Sequence, residues 1–259
     1  MSRIASVFRP DYKALIAYLT VGYPDVETMQ KAAITLANSG VDIIELGIPF
    51  SDPLADGATI QKASYQALRQ GVTPRVCLEV AKQLRQQITT PRVFMTYYNP
   101  VFHFGLQAFC QSCTEAGISG LIIPDLPPEE GEELEAVTEK YNLDLIYLLA
   151  PTSTKERIVL VAARSRGFIY LVSLTGVTGA RQTLPSGMEN FVKRVRQKAN
   201  QPLCIGFGVS NPEQASRIAS VADGVIVGSR LIQLIEEDAT LSSLKAFTLS
   251  LREALDSRH

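Results

Sequence analysis

Histidine is almost missing from this chain. His103 and His259 are the only two, too few to build a catalytic zinc of the His-ligated kind, so no metal is expected. Cysteine is scarce as well: Cys77, Cys110, Cys113 and Cys204 do not amount to a disulfide framework. Cys110 and Cys113 form an isolated C-x-x-C that reads as two buried thiols on a helix. No uncharged apolar run approaches the roughly 18 residues that a membrane span needs. Neither sign of charge dominates, since 25 Lys and Arg meet 26 Asp and Glu for a net charge of −1. Without a basic excess, nucleic-acid binding is not expected. The opening MSRIASVFRPDYK lacks an apolar segment before a small-residue cleavage site, so a cytoplasmic location is expected rather than secretion.

What the chain does have is a series of short, β-branched apolar runs. They fall at 15–20, 42–46, 92–97, 119–123, 144–149, 167–172, 202–206 and 223–227. Each is nearly continuous in hydrophobicity, which suits a strand covered on both faces in a parallel sheet. Amphipathic stretches lie between them. Residues 26–39 place Met29, Ala33, Leu36 and Ala37 on one helical face, ended by Gly40. Ser153 and Glu156 have capping-box spacing, and Asn211-Pro212 reads as an N-cap with proline at the first helical position.

Eight strand–helix units in one chain of this length describe an α/β fold, a (β/α)8 TIM barrel, as a single domain over 1–259. An open doubly wound sheet is the alternative. It would carry a glycine-rich turn after its first strand, where this chain has TVGYPD with one glycine. Unusually long gaps follow the second and sixth predicted strands, and extra helical pieces are expected there and at the N-terminus. In a barrel the loops at the carboxyl ends of strands carry the chemistry.

The second strand reads VDIIELG. Strand alternation puts Ile44 and Leu46 on the helix side and points Glu45 into the barrel near its mouth. A carboxyl there loses water, which raises its pKa toward the range useful for proton transfer. A structural ion pair is the alternative, but no predicted strand ends in Lys or Arg. Asp52-Pro53 reads as a turn. Asp56-Gly57 can be a turn or a second carboxylate over the mouth. Glycines cluster in Thr175–Ala180, Gly206–Ser210 and Gly228–Ser229. Backbone amides freed by glycine and a helix N-terminus can hold a phosphate without any lysine, the arrangement that late barrel loops often adopt. No lysine lies in a predicted strand, so carbon–carbon chemistry here has to run on acid–base catalysis rather than a Schiff base.

AYLTVGYPD, ELGIPFSDPLADGATIQ, MTYYNPV, IIPDLPPEE, LVSLTGVTGA, GFGVS and VIVGS together resemble the tryptophan synthase α-subunit family, in order and over nearly the whole chain. The resemblance implies a cofactor-independent (β/α)8 lyase that cleaves indole-3-glycerol phosphate to indole and glyceraldehyde 3-phosphate. It implies that indole passes to a β subunit in an αββα heterotetramer. By the same resemblance Glu45 and Asp56 are catalytic, and Tyr18, Tyr170 and Thr178 lie at the indole side. Gly179, Gly208, Gly228 and Ser229 would hold the phosphate, and Pro53, Tyr97 and Asn99 would face the partner. Where the family often has proline after ADG, this chain has Ala58, which implies a looser aspartate loop. A stand-alone indole-releasing lyase and a non-catalytic barrel that only activates the β subunit are the competing readings.

Overall fold

The computed structural model describes residues 2–172, 187–206 and 208–257. Nine strand segments among these residues form one parallel sheet: β1 Ala14–Thr20, β2 Ile43–Gly47, β3 Arg92–Met95, β4 Gly120–Ile122, β5 Asp144–Ile146, β6 Leu148–Leu149, β7 Ile169–Val172, β8 Leu203–Gly206 and β9 Gly224–Val227. Neighbours pair in sequence order, and β9 pairs with β1. β5 and β6 are two halves of one run broken at Tyr147, whose N–H donates to Ser165 Oγ at 3.1 Å instead of continuing the ladder. Tyr147 still accepts from the Tyr170 N–H at 3.0 Å. The chain itself therefore closes the ring, giving the eight-stranded barrel expected from the sequence.

The helices surround this barrel. They are α1 Val26–Asn38, α2 Ala58–Arg69, α3 Pro74–Arg85, α4 Tyr98–Phe104, α5 Leu106–Glu115 and α6 Glu132–Lys140, followed by α7 Lys155–Arg164, α8 Met188–Arg196, α9 Pro212–Ala219, α10 Ser229–Glu237 and α11 Ser242–Asp256. α1 buries Met29, Ala33 and Leu36 as its periodicity requires, with Ala37 partly buried beside them. α9 is capped by Asn211, whose side chain accepts from Gln214 N, and Pro212 is its first residue. α7 departs from expectation by one residue. Its N-cap is Thr154, which accepts from Arg157 N, because Ser153 Oγ is taken by the Ala150 N–H at 3.0 Å. Cys110 and Cys113 are buried thiols on α5. The long gap after β2 holds α2 and α3, and a 3-10 turn at Ala5–Val7 lies at the N-terminus. The gap after β7 lies largely outside the described residues.

Two hydrophobic layers follow from strand alternation. Outward residues such as Ile44, Leu46 and Phe94 pack against helices, while inward residues fill the barrel. The inner cluster contains Ile16, Ile43, Val93, Ile122, Ile146, Phe168 and Ile226, and Ile4 caps it from below. No described helix is long and apolar enough to cross a membrane.

The start of α2 bears on the aspartate loop directly before it. Ala58 is the first helical residue and Gly57, at φ −76° and ψ 165°, is the N-cap. That backbone already suits a residue preceding proline, and a first-turn N–H has no helical acceptor to lose. Ala58→Pro is therefore expected to stabilise the chain by about 0.4–1 kcal/mol through the unfolded state. The check is a higher urea midpoint at unchanged m value; a lower midpoint would show that the loop needs the freedom alanine gives.

Candidate active site

Glu45 sits on β2 in register with Tyr18 of β1 and Val93 of β3. Its side chain is fully buried (0% exposed) and points into the barrel above Ile43. Neither carboxyl oxygen has a hydrogen-bond partner among the described residues. No cation among the described residues faces it, so none of them supports the ion-pair alternative. Burial pushes its carboxyl up to about 8, which keeps it mostly protonated at neutral pH.

A cavity of about 240 Å³ opens at the carboxyl ends of the strands. Tyr18 and Tyr170 line its floor, Asp56 and Gly57 one rim, and Gly208, Gly228 and Ser229 another. Met95, Leu148, Ile226 and Ile60 supply apolar wall, enough for a flat aromatic group. Glu45 itself does not line the cavity. It lies beneath it, close enough for its charge to raise the Tyr18 and Tyr170 hydroxyls further after burial has done so. Both tyrosines lean over a glycine on the next strand. A Cβ at Gly47 would come within 2.1 Å of the Tyr18 hydroxyl, and one at Gly206 within 2.3 Å of the Tyr170 hydroxyl. Any larger residue there would drive a ring out of the floor.

Asp56 is half-buried on the loop after β2. Burial raises its carboxyl to about 6, and a hydrogen bond from the Tyr97 hydroxyl opposes that rise. The same hydroxyl accepts from the Ala55 N–H at 2.9 Å. Tyr97, buried at the N-cap of α4 and stacked on Phe50 at 5.1 Å, thus ties the aspartate loop to the barrel. The sequence pointed to Tyr97 only as a partner-facing residue, and its link to Asp56 was not legible there. Asn99 is exposed on the first turn of α4, and Pro53 is half-buried at the loop tip. Asp52 makes the turn expected of it, accepting from Ser51 Oγ at 2.7 Å and, through its carbonyl, from Leu54 N at 2.9 Å.

Gly228 is the N-cap of α10 and Ser229 its first residue, so the first-turn amides open toward the cavity. Gly208 precedes α9 with φ 31°, in the left-handed region that favours glycine. Among the described residues no Lys or Arg lines the cavity, so an anion held there by these residues would rest on amides and a hydroxyl. Thr178 and Gly179 lie outside the described residues. Met95 was missed from sequence, although alternation with inward Val93 marks it. Among the described residues no group of three His, Cys, Asp or Glu side chains is gathered for a metal ion.

An eight-stranded (β/α)8 barrel that carries a buried and a half-buried carboxyl group toward its carboxyl-terminal mouth, beside a helix N-terminus, has the layout of a barrel enzyme. Comparison narrows this. A family model described as tryptophan synthase alpha chain matches residues 4–255. The tryptophan synthase alpha chain of Dehalococcoides mccartyi is 59% identical over 256 residues, covering 99% of this chain and 100% of its own. That of Geotalea uraniireducens is 47% identical, covering 97% of each. A structure of Mycobacterium tuberculosis tryptophan synthase superposes with a TM-score of 0.93 at 42% identity, covering 99% of each chain. The alpha subunit from Legionella pneumophila gives 0.90 at 35%, again covering 99% of each. The chain belongs to the tryptophan synthase alpha chain family, and it is a lyase.

The Tyr97–Asp56 link generates a titration. Tyr97→Phe removes the donor that holds the Asp56 carboxyl down, so its pKa is expected to climb further above about 6. Carboxyl 13C shifts of Asp56 followed against pH measure this; an unmoved midpoint would mean that burial alone sets the value.

Proposed function

We propose that this chain cleaves indole-3-glycerol phosphate to indole and glyceraldehyde 3-phosphate by a retro-aldol reaction carried by its own side chains. The observation that supports it most is Glu45: a buried carboxyl without a hydrogen-bond partner among the described residues, directly beneath a cavity whose rims hold a second carboxyl group and a helix N-terminus. The phosphate would bind at Gly208, Gly228 and Ser229, with Gly179 from the loop after β7. Remote binding energy there would position the reacting carbons. The indole ring would lie between Tyr18, Tyr170 and the apolar wall, and Thr178, outside the described residues, is assigned to the indole side only by its match to the family.

Asp56, ionised above about 6, accepts a hydrogen bond from the indole N1–H and stabilises the cation that forms there. Glu45, protonated below about 8, turns its unbranched side chain up to the cavity and gives its proton to indole C3. The resulting carboxylate then takes the proton of the C3′ hydroxyl. The C3–C3′ bond breaks, its electron pair returns to the indole ring, and the aldehyde leaves. Glu45 ends protonated, as it began. No cofactor is required.

We place a β subunit against the loop carrying Pro53 and the first turn of α4 carrying Asn99, in an αββα assembly, with Tyr97 bracing that face from within. Leu54 and Phe102 on the same face are 94% and 60% exposed, an apolar surface suited to a partner. A cytoplasmic setting fits a biosynthetic lyase of this kind. The stand-alone and non-catalytic alternatives are separated by measuring indole release from the purified chain with and without β subunit.

Two measurements test the chemistry. kcat/KM is expected to be bell-shaped, falling below about pH 6 as Asp56 is protonated and above about pH 8 as Glu45 ionises. Glu45→Gln is expected to abolish indole formation, by at least about a hundredfold for loss of a general acid. The same variant should gain stability over the parent as pH rises from 4.5 toward 8. In that window the unfolded chain has released the proton that the folded parent still holds, so the parent weakens with pH and the glutamine variant does not. Retained indole formation would overturn the reading of Glu45 as the acid.

A further inference from the structure

At the opposite end of the barrel, Arg92 opens β3 with its side chain fully buried, 1% exposed. Its guanidinium donates only to carbonyls: Ile88 O and Thr90 O at 3.1 Å and Gly117 O at 3.3 Å. Nε has no partner. A buried charge ordinarily has a counter-charge. Here its charged neighbours are instead two more cations, and after burial itself Arg3 and Arg85 help lower the Arg92 pKa to about 10.

Arg3 and Arg85 line a cavity of about 530 Å³ whose wall includes Gly117 and Ser119. Arg3 donates to Thr89 O at 2.7 Å and Arg85 to Glu115 O at 2.9 Å, both neutral carbonyls. Among the described residues none of Arg3, Arg85 and Arg92 has an acidic partner in salt-bridge reach. Ser119 is nine-tenths buried, and its hydroxyl has no partner. The one carboxylate of the cavity, Asp144, is occupied: Ser2 Oγ donates to it, and Arg166 lies near enough to favour its ionised form. Two guanidiniums without an acidic partner line this cavity, a third lies buried behind its wall, and a wall hydroxyl is unpaired among the described residues.

We propose that this cavity, at the amino-terminal ends of β3 and β4, binds a compact tetrahedral oxyanion of the phosphate class. Arg3 and Arg85 would bind it through their forked N–H groups, and the Ser119 hydroxyl, shielded within the wall, would turn about its Cα–Cβ bond to donate to it. Arg92, which donates to the Gly117 carbonyl from behind the wall, contributes charge without contact. The site is separate from the lyase cavity, which opens at the other ends of the strands.

The test is a titration of the full 15N-labelled chain with inorganic phosphate at constant ionic strength. The Gly117 and Ser119 amide signals are expected to shift saturably, and the melting temperature to rise, since the anion binds only the folded chain. Arg3 is exposed, so Arg3→Gln should fold normally and weaken binding at these amides about tenfold, as loss of one charge-assisted hydrogen bond implies. Ser119→Ala, which removes an unpaired polar atom, should fold at least as well and also bind more weakly. A parallel titration with glucose 6-phosphate decides the source: tighter binding assigns the site to a phosphorylated metabolite, equal or weaker binding to inorganic phosphate. Amides that stay still or drift without saturation, or an Arg3→Gln chain that titrates like the parent, would overturn the proposal.

Discussion

The lyase chemistry proposed for this protein rests on a carboxyl group placed where water cannot reach and where no cation among the described residues compensates. Glu45 lies inside a barrel whose neighbouring side chains are Ile43, Val93 and two tyrosine rings. Desolvation without a counter-charge favours the neutral acid. That state is costly to maintain as pH rises, because ionising the buried group is unfavourable. It persists because the closed sheet fixes the backbone of β2 on both sides, to β1 and to β3. Functional sites commonly keep such a conflict between stability and chemistry, with the rigid scaffold around them bearing it.

The two ends of the barrel handle charge in opposite ways. At the carboxyl-terminal mouth, buried or half-buried carboxyls meet a cavity without cationic lining among the described residues and with a helix N-terminus on its rim. At the amino-terminal end, guanidiniums gather around a cavity whose single acid is already engaged. Between them lies a dry apolar plug running from Ile4 and Phe168 up to Ile226. The plug separates the two regions in space, and no side chain lines both cavities.

Much of the architecture was legible in one dimension because parallel strands covered on both faces must be apolar almost throughout. The eight runs from 15–20 to 223–227 therefore stood out and lie within a residue or two of observed strands. The inward direction of Glu45 followed from period-two alternation alone. What escaped was set by long-range contact. The break at Tyr147 depends on a hydroxyl 18 residues away, Ser165. The cap of α7 moved to Thr154 because Ser153 was claimed by Ala150. The hold of Tyr97 on the aspartate loop spans 42 positions to Ala55.

By itself, then, the order of residues determined the barrel, the inward acid and the glycines able to approach an anion, since each depends on local period, side-chain volume or backbone freedom. Tertiary structure alone decided which groups share a cavity and which share only a neighbourhood. It placed Glu45 beneath the floor rather than on it, tied Asp56 to Tyr97, and brought Arg3, Arg85 and Arg92 together from three separate stretches of chain. Solvent exclusion and through-space charge fix those outcomes. Both depend on what the folded chain packs around a group, which its neighbours in sequence do not record.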